Sequence, residues 1–224
     1  MAVYDDVLYF QQIYVIFVGN KRMDNVETDI LRRLAEKGRG RIFFAQEFYD
    51  LWPEGTVRYA LSILAEKGQV VRLARGVFCF PELSEHGMKM LLPEPDTIAQ
   101  AMADKAMIRI VPVRDQAACL VGLTGLSFNR YTYLTDGAPR KIHLSNGRTI
   151  EFRHTSEMRV FAFCNRKMML LSNGLRALGK EHIGEGEREV LKWQLDSIPA
   201  EDFLRDIQLC PGWVREMLAN LRAN

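Results

Sequence analysis

The chain between residues 26 and 80 contains an ordered series of short hydrophobic patterns, and this series restricts the fold more than any other feature. Apolar residues at helical spacing over 26–34 predict a first helix, and residues 41–44 form a short extended piece. Residues 46–51 predict a compact second helix, which the Trp-Pro pair after it ends. A third helix is predicted from residue 54 to Gly68. Its apolar face consists of Val57, Ala60, Leu61 and Leu64.

Two β-rich segments follow the third helix. Residues 69–73 and 77–80 are rich in valine and phenylalanine, and the sequence Ala74-Arg75-Gly76 separates them. A glycine-containing turn between two such segments is typical of a hairpin. The complete order is therefore helix, short strand, helix, turn, helix and hairpin. This order predicts a winged helix-turn-helix over residues 23–82.

In a winged helix-turn-helix, the third helix packs one face on the core and presents the other to the major groove of DNA. Arg58 can bond a guanine edge through two donors, and hydroxyl side chains can bond bases or phosphates. The hairpin carries two arginines beside a glycine, where short reach and positive charge suit the sugar-phosphate backbone. The predicted DNA-binding residues are Thr56, Arg58, Tyr59, Ser62, Arg72 and Arg75. Lys37, Arg39 and Arg41 add a further basic group, which nearby carboxylates offset.

Composition is compatible with this interpretation without requiring it. The chain has 224 residues, of which 48% are hydrophobic and 26% charged, as in ordinary globular proteins that bury a core. Thirty basic and 28 acidic residues leave a formal charge of +2, which is too small to indicate nucleic-acid binding by itself. The four cysteines are far apart and form no CxxC pair, so we expect reduced thiols in a cytoplasmic protein.

Four segments are predicted along the chain. Residues 1–22 form an N-terminal extension of unknown role, which is too short and polar to span a bilayer and lacks the pattern of a signal peptide. Residues 23–82 form the winged helix-turn-helix, and residues 83–95, which are broken by glycine and two prolines, form a linker. Residues 96–224 form a C-terminal domain. No membrane association is expected.

The C-terminal domain is predicted to combine a small antiparallel sheet with a helical C-terminus. Asp136-Gly137 and Asn146-Gly147 are both strong hairpin signals between neighbouring strands. The fold class is therefore α+β, with an N-terminal winged helix-turn-helix and a C-terminal mixed α/β domain. The three strands are predicted at 129–134, 140–144 and 148–154, and the later helices lie between 167 and 222.

Basic residues are concentrated in the last two of these strands and the turn between them. Alternation directs Ile142, Leu144, Ile150 and Phe152 inward and leaves most of the basic residues on the opposite face. A solvated sheet face explains this pattern, and so does a second surface for phosphates or an acidic partner. The residues of this second basic surface are Arg140, Lys141, His143, Arg148 and Arg153.

The same strands carry side chains that could serve in catalysis. Asp136, Glu151 and Arg153 have the spacing of a nuclease site, but an arginine cannot serve as a proton-accepting base at ordinary pH. The alternation places His143 and His154 on opposite faces, so they would not converge on one metal. The chain has no phosphate-binding loop and no HExxH or GxSxG motif. We therefore expect no catalytic residues, no metal and no cofactor.

Four segments resemble the AbiEi-type antitoxins of bacterial abortive-infection, or type IV, toxin–antitoxin operons. They are ALSILAEKG at 60–68, RLARGVF at 72–78, YLTDGAPRK at 133–141 and EFRHT at 151–155. They stand in this order, and together with the helical C-terminus they cover about residues 26–220. Residues 1–22 lie outside the resemblance. The first two segments are moderately specific, and the last two discriminate better.

The resemblance implies a two-domain transcriptional regulator. Its winged helix would bind inverted repeats in its own promoter, as a homodimer or as paired copies. Its C-terminal domain would oppose a nucleotidyltransferase-like toxin encoded next to it. By resemblance, the residues that contact DNA are Arg58, Tyr59, Ser62, Arg72 and Arg75. Two alternatives remain open: a protein-docking winged helix that binds a toxin without DNA, and a divergent nuclease in the C-terminal domain.

Overall fold

The computed structural model describes residues 24–84 and 90–223 of the chain. The predictions for residues 1–22 and for the linker residues 85–89 lie outside the described residues. The chain divides into two compact units, the first ending at Glu94 and the second beginning at Pro95. Each unit contains both helices and strands, and the α+β class predicted from the sequence is confirmed.

The first unit follows the order of helices and strands predicted for it. Gly38 has a φ of 89°, a conformation that favours glycine, and it ends the first helix. Strands pair in the order β1-β3-β2, and both pairs are antiparallel. The elements are α1 (Asp24–Lys37), β1 (Ile42–Phe44), a 3₁₀ helix (Ala45–Phe48), α2 (Glu54–Glu66), β2 (Val71–Ala74) and β3 (Val77–Cys79).

The core of the first unit lies between the two α-helices and one face of this sheet. The rings of Phe43 and Phe78 stack with their centroids 5.7 Å apart, and Phe48 meets Phe43 edge to face. Phe43 and Phe78 lie opposite each other in the β1–β3 ladder, so the two strands supply one aromatic layer. The buried helical residues on this layer include Ile30, Leu34, Val57, Ala60, Leu61 and Leu64.

Two short strands lie at the start of the segment predicted as a linker and inside it. β4 (Glu82–Leu83) and β5 (Met90–Leu91) pair antiparallel and form a separate two-stranded ladder. Residues 90–92 are an apolar Met-Leu-Leu run before Pro93, so this part of the chain can extend and pair before the proline interrupts it.

The second unit begins with alternating helices and strands and ends in helices. Its first elements are α3 (Pro95–Ala106), β6 (Ile110–Pro112), α4 (Arg114–Leu120), β7 (Arg130–Thr135), β8 (Arg140–His143) and β9 (Thr149–His154). Its later elements are a 3₁₀ helix (Met158–Phe161), α5 (Arg166–Leu178), a 3₁₀ helix (Lys180–His182), α6 (Glu185–Asp196), α7 (Ala200–Asp206), a 3₁₀ helix (Ile207–Leu209) and α8 (Gly212–Ala223).

The four-stranded sheet of the second unit has the order β6-β7-β9-β8. The predicted Asn146-Gly147 hairpin is confirmed, since β8 and β9 pair antiparallel and Gly147 has a φ of 81°. The predicted Asp136-Gly137 hairpin is wrong, because β7 pairs parallel with β9 and not with β8. The sheet is therefore mixed.

Asp136 and Gly137 serve other purposes than a hairpin turn. Asp136 accepts hydrogen bonds from the backbone N–H and the Nε of Arg109, at 2.8 and 2.7 Å. A Cβ on Gly137 would lie 2.6 Å from a side-chain carbon of Ile108. The dipeptide therefore holds the start of β6 against the end of β7, and close packing explains its glycine.

The helical core of the second unit depends on one close crossing between α4 and α5. A Cβ on Gly174 would lie 2.9 Å from the Cα of Ala118, so only glycine permits this approach. The start of α5 is held from a distant part of the chain. The buried Asp206 accepts hydrogen bonds from the backbone N–H groups of Cys164 and Asn165, at 3.1 and 2.7 Å.

Candidate nucleic-acid interface

Helix α2 has one buried face and one accessible face. Val57, Leu61 and Leu64 are fully buried, which orients the helix in the first unit. Arg58 is exposed, and Tyr59 has 57% of its surface accessible, which is high for an aromatic residue. Thr56 and Ser62 are half-buried at the edges of the apolar face. The four residues predicted on this helix therefore share its accessible side, although to different degrees.

Arg58 is not a freely moving cation. Its guanidinium forms an ion pair with Glu54, one turn earlier in α2, and both side chains are more than half exposed. A hydrogen bond with the Tyr49 side chain raises the pKa of Arg58, and the charge of Glu54 raises it further. The arginine predicted to read a base is thus paired with a carboxylate of its own helix.

The β2–β3 hairpin is short. Ala74 and Val77 are paired, so the loop consists of Arg75 and Gly76, and Gly76 has a φ of 74°. The Gly76 carbonyl accepts a hydrogen bond of 3.2 Å from the N–H of Ala45, at the start of the 3₁₀ helix. The loop is therefore fixed to the body of the unit.

The two predicted hairpin arginines are both exposed. The guanidinium of Arg72 lies 5.4 Å from the centroid of the Phe78 ring, its partner across the ladder, so it is attracted to the ring face. Arg75 lies in the loop itself. Within the described residues, Arg75 and Arg41 contact no carboxylate at ion-pair distance.

Charge over residues 24–84 is distributed unevenly even though its total is zero. Residues 24–84 contain nine basic and nine acidic residues. Most of the carboxylates that form ion pairs are found on α1 and around the 3₁₀ helix. These pairs are Arg32–Asp29, Arg33–Asp50, Lys37–Glu47 and Lys67–Glu27. The hairpin and the segment before β1 carry Arg39, Arg41, Arg72 and Arg75, and sequence reasoning did not select Arg41 as a binding residue.

The predicted second basic surface is divided between two faces of the mixed sheet. Lys141, His143 and Arg153 are exposed on one face, as alternation predicts. Arg140 belongs to the other face, where its guanidinium lies 4.8 Å from the Phe152 ring centroid and bonds the Met102 carbonyl. Burial lowers the pKa of Arg140. Arg148 lies 6.0 Å from the ring centroid of Tyr131.

The exposed basic face gains a residue that sequence reasoning missed. The parallel β7–β9 register pairs Arg130 with Thr149 and brings it to the face of Glu151. Glu151 lies 3.1 Å from Arg153, 4.0 Å from Arg130 and directly opposite Lys141. A hydrogen bond from Arg153 lowers the pKa of Glu151, and the nearby cations lower it further. Three cations thus surround one carboxylate, and we name Arg130, Lys141, His143 and Arg153 the basic sheet face.

The nuclease alternative requires two carboxylates that converge. Thr135 pairs with His154 and Thr132 with Glu151, so Asp136 and Glu151 are about four strand positions, or roughly 13 Å, apart. Arg109 forms a side-chain hydrogen bond with Asp136 and lowers the pKa of that carboxyl. Arg153 forms an ion pair with Glu151. No group of three potential metal ligands lies within the described parts of the chain. This geometry does not provide a shared metal position.

Comparison with known proteins yields one family. The family of unknown function DUF6088 matches residues 29–202, which is well over half of the chain. No curated protein and no solved structure matches the chain at a significant level. Among the described residues, none of the helices has the length and apolar character needed to cross a bilayer.

Proposed function

We propose that this chain, which belongs to the DUF6088 family, is a transcriptional regulator whose residues 23–82 bind double-stranded DNA as a winged helix-turn-helix. The observation that supports this most directly is the position of α2. Its polar side is accessible and includes Arg58 and Tyr59, and the hairpin that follows carries exposed arginines. A helix presented in this way next to a basic hairpin is the arrangement with which winged helices approach a major groove.

The dimensions of α2 suit this role. Thirteen residues make a helix about 20 Å long, and a major groove is wide enough to accept it. The apolar stripe anchors the helix, so its accessible side is rigidly presented. We expect Arg58 and Tyr59 to contact base edges, and the hydroxyls of Thr56 and Ser62 to contact phosphates at the edge of the groove.

The hairpin has a more limited task in this proposal. Its two-residue loop is fixed by the bond between Ala45 and Gly76, so it does not extend far from the sheet. We therefore expect Arg72 and Arg75 to neutralise phosphates, which is a contribution independent of base sequence.

We further propose that the protein acts in the bacterial cytoplasm as the antitoxin of an abortive-infection operon and represses its own promoter. The support is the resemblance of four segments to AbiEi-type antitoxins. Two copies bound to an inverted repeat would double the contacts of a single winged helix. The second unit would then oppose a nucleotidyltransferase-like toxin.

The basic sheet face supports a second anionic contact in this scheme. Arg130, Lys141 and Arg153 outnumber the carboxylate between them, so an incoming phosphate or acidic side chain meets excess positive charge. We expect the Lys141→Glu/Arg153→Glu variant to bind DNA or the toxin at least tenfold more weakly, a loss of about 1.4 kcal/mol. Titration of each partner by fluorescence anisotropy measures this. Unchanged affinity for both partners in a folded variant would contradict the role.

An electrophoretic mobility shift with DNA upstream of the coding sequence tests the main proposal. We expect a shift at 50 mM salt that weakens strongly at 200 mM. A protein that forms a stable complex with a toxin but shifts no duplex at either salt concentration would instead be a docking module, and the regulator proposal would fail.

A further inference from the structure

We infer that Glu54 is a positioning residue that holds the guanidinium of Arg58 for recognition of one guanine, so that the operator contains a G·C pair whose identity depends on both residues. This inference rests on the proposed DNA-binding function and specifies the substrate of the same site. Its basis is the ion pair between two exposed side chains one turn apart at the start of α2.

The location of the pair is the first part of the argument. Base edges are contacted mainly by the N-terminal residues of a recognition helix, and Glu54 and Arg58 occupy the first five residues of α2. Both side chains remain more than half accessible although they are paired with each other. An acidic residue in the first turn stabilises a helix N-terminus, but at this location it also repels phosphates, so on a DNA-reading helix it needs a further reason.

The geometry of the guanidinium provides that reason. Arginine has five N–H donors in a planar fork, and guanine requires two of them for its O6 and N7 acceptors. Glu54 engages Nη2 of this fork. Donors remain for the base. An arginine that is already held in one plane loses less conformational entropy when it binds than one that moves freely.

The ion pairs of α1 and the 3₁₀ helix do not lie at the start of α2. The Arg33–Asp50 and Lys37–Glu47 pairs connect α1 with the 3₁₀ helix and the turn after it, where they join separate elements. The Arg32–Asp29 pair resembles Glu54–Arg58 in being local and in having an exposed arginine, but it lies on α1. It therefore provides a matched control.

The test is a selection of bound duplexes from a randomised library, followed by sequencing, with the wild type and four variants of the full chain. We expect Arg58→Ala to lose a guanine preference of about 5- to 150-fold at one position. Glu54→Ala should reduce the preference at that same position by about two- to tenfold. It should also bind non-specific DNA more tightly, because a negative charge has been removed. Glu54→Gln, which keeps a hydrogen-bond acceptor, should retain most of the preference.

The controls separate this inference from the proposed function. Arg32→Ala should leave the selected sequence unchanged, and circular dichroism should show that all variants are folded. A wild type that binds no duplex would refute the proposed function itself. A wild type that binds DNA, but whose guanine preference survives Glu54→Ala, would overturn only the inference. Loss of preference at a different position in Glu54→Ala would also overturn it, because Glu54 would then read a base directly.

Discussion

The Arg72→Ala/Arg75→Ala variant is expected to bind every duplex about 100-fold more weakly than the wild type at 50 mM salt. The estimate assumes that each arginine forms a charge-assisted hydrogen bond to a phosphate worth about 1.5 kcal/mol. The dependence of log K on log salt should also become shallower by about two units per bound copy, since two phosphate contacts are lost. Anisotropy titrations at four salt concentrations measure both quantities.

The control for this experiment removes two arginines from other places. Arg32 on α1 and Arg205 on α7 are exposed and each pairs with a carboxylate one turn away. Replacing both with alanine causes the same change in net charge but should leave the salt dependence unchanged. Thermal unfolding should accompany the titrations, since Arg72 also contacts the Phe78 ring. A salt dependence identical in the hairpin variant and the wild type would contradict phosphate binding by the hairpin.

Gly174→Val is expected to lower the free energy of unfolding by about 3 kcal/mol or more. A Cβ at this position would lie 2.9 Å from the Cα of Ala118, and a backbone atom cannot move aside as a flexible side chain can. Overpacking of a core costs about 1–3 kcal/mol even where side chains can adjust, and here α4 and α5 would have to separate. Urea denaturation followed by circular dichroism measures the change.

Gly186→Ala is the matched control for the glycine substitution. Gly186 also lies within a helix, α6, but a Cβ there would have no atom within 4 Å. Alanine has a higher helix propensity than glycine, so this variant should be at least as stable as the wild type. If Gly174→Val were as stable as the wild type, the close crossing of α4 and α5 would not require glycine at this position.

The sequence predicted local structure well because local structure depends on neighbouring residues. Helical spacing located α2, and Asn146-Gly147 located the β8–β9 hairpin, since each signal lies within the element that it predicts. The exposure of Arg58 and Tyr59 also followed from helical spacing. Their role in DNA binding stays a prediction, because spacing determines which side is accessible and not what that side contacts.

The sequence did not predict contacts between distant residues. The hairpin signal at Asp136-Gly137 reflects a bond to Arg109 and packing on Ile108, about 27 residues earlier along the chain, which no local pattern reveals. Parallel pairing of β7 with β9 was missed for the same reason. The position of Arg130 was therefore not predicted either, because Arg130 lies beside Glu151 only in that parallel register.

The family match ends before the last helices of the second unit, which contribute to its core. Its last matched residue is 202, yet the chain beyond it contributes six buried hydrophobic residues and the carboxylate that bonds the start of α5. Those six are Phe203, Ile207, Cys210, Val214, Leu218 and Leu221. A protein shortened to the matched interval would expose the surface that these residues cover and would tend to aggregate. A shortened form of this chain should therefore retain α8.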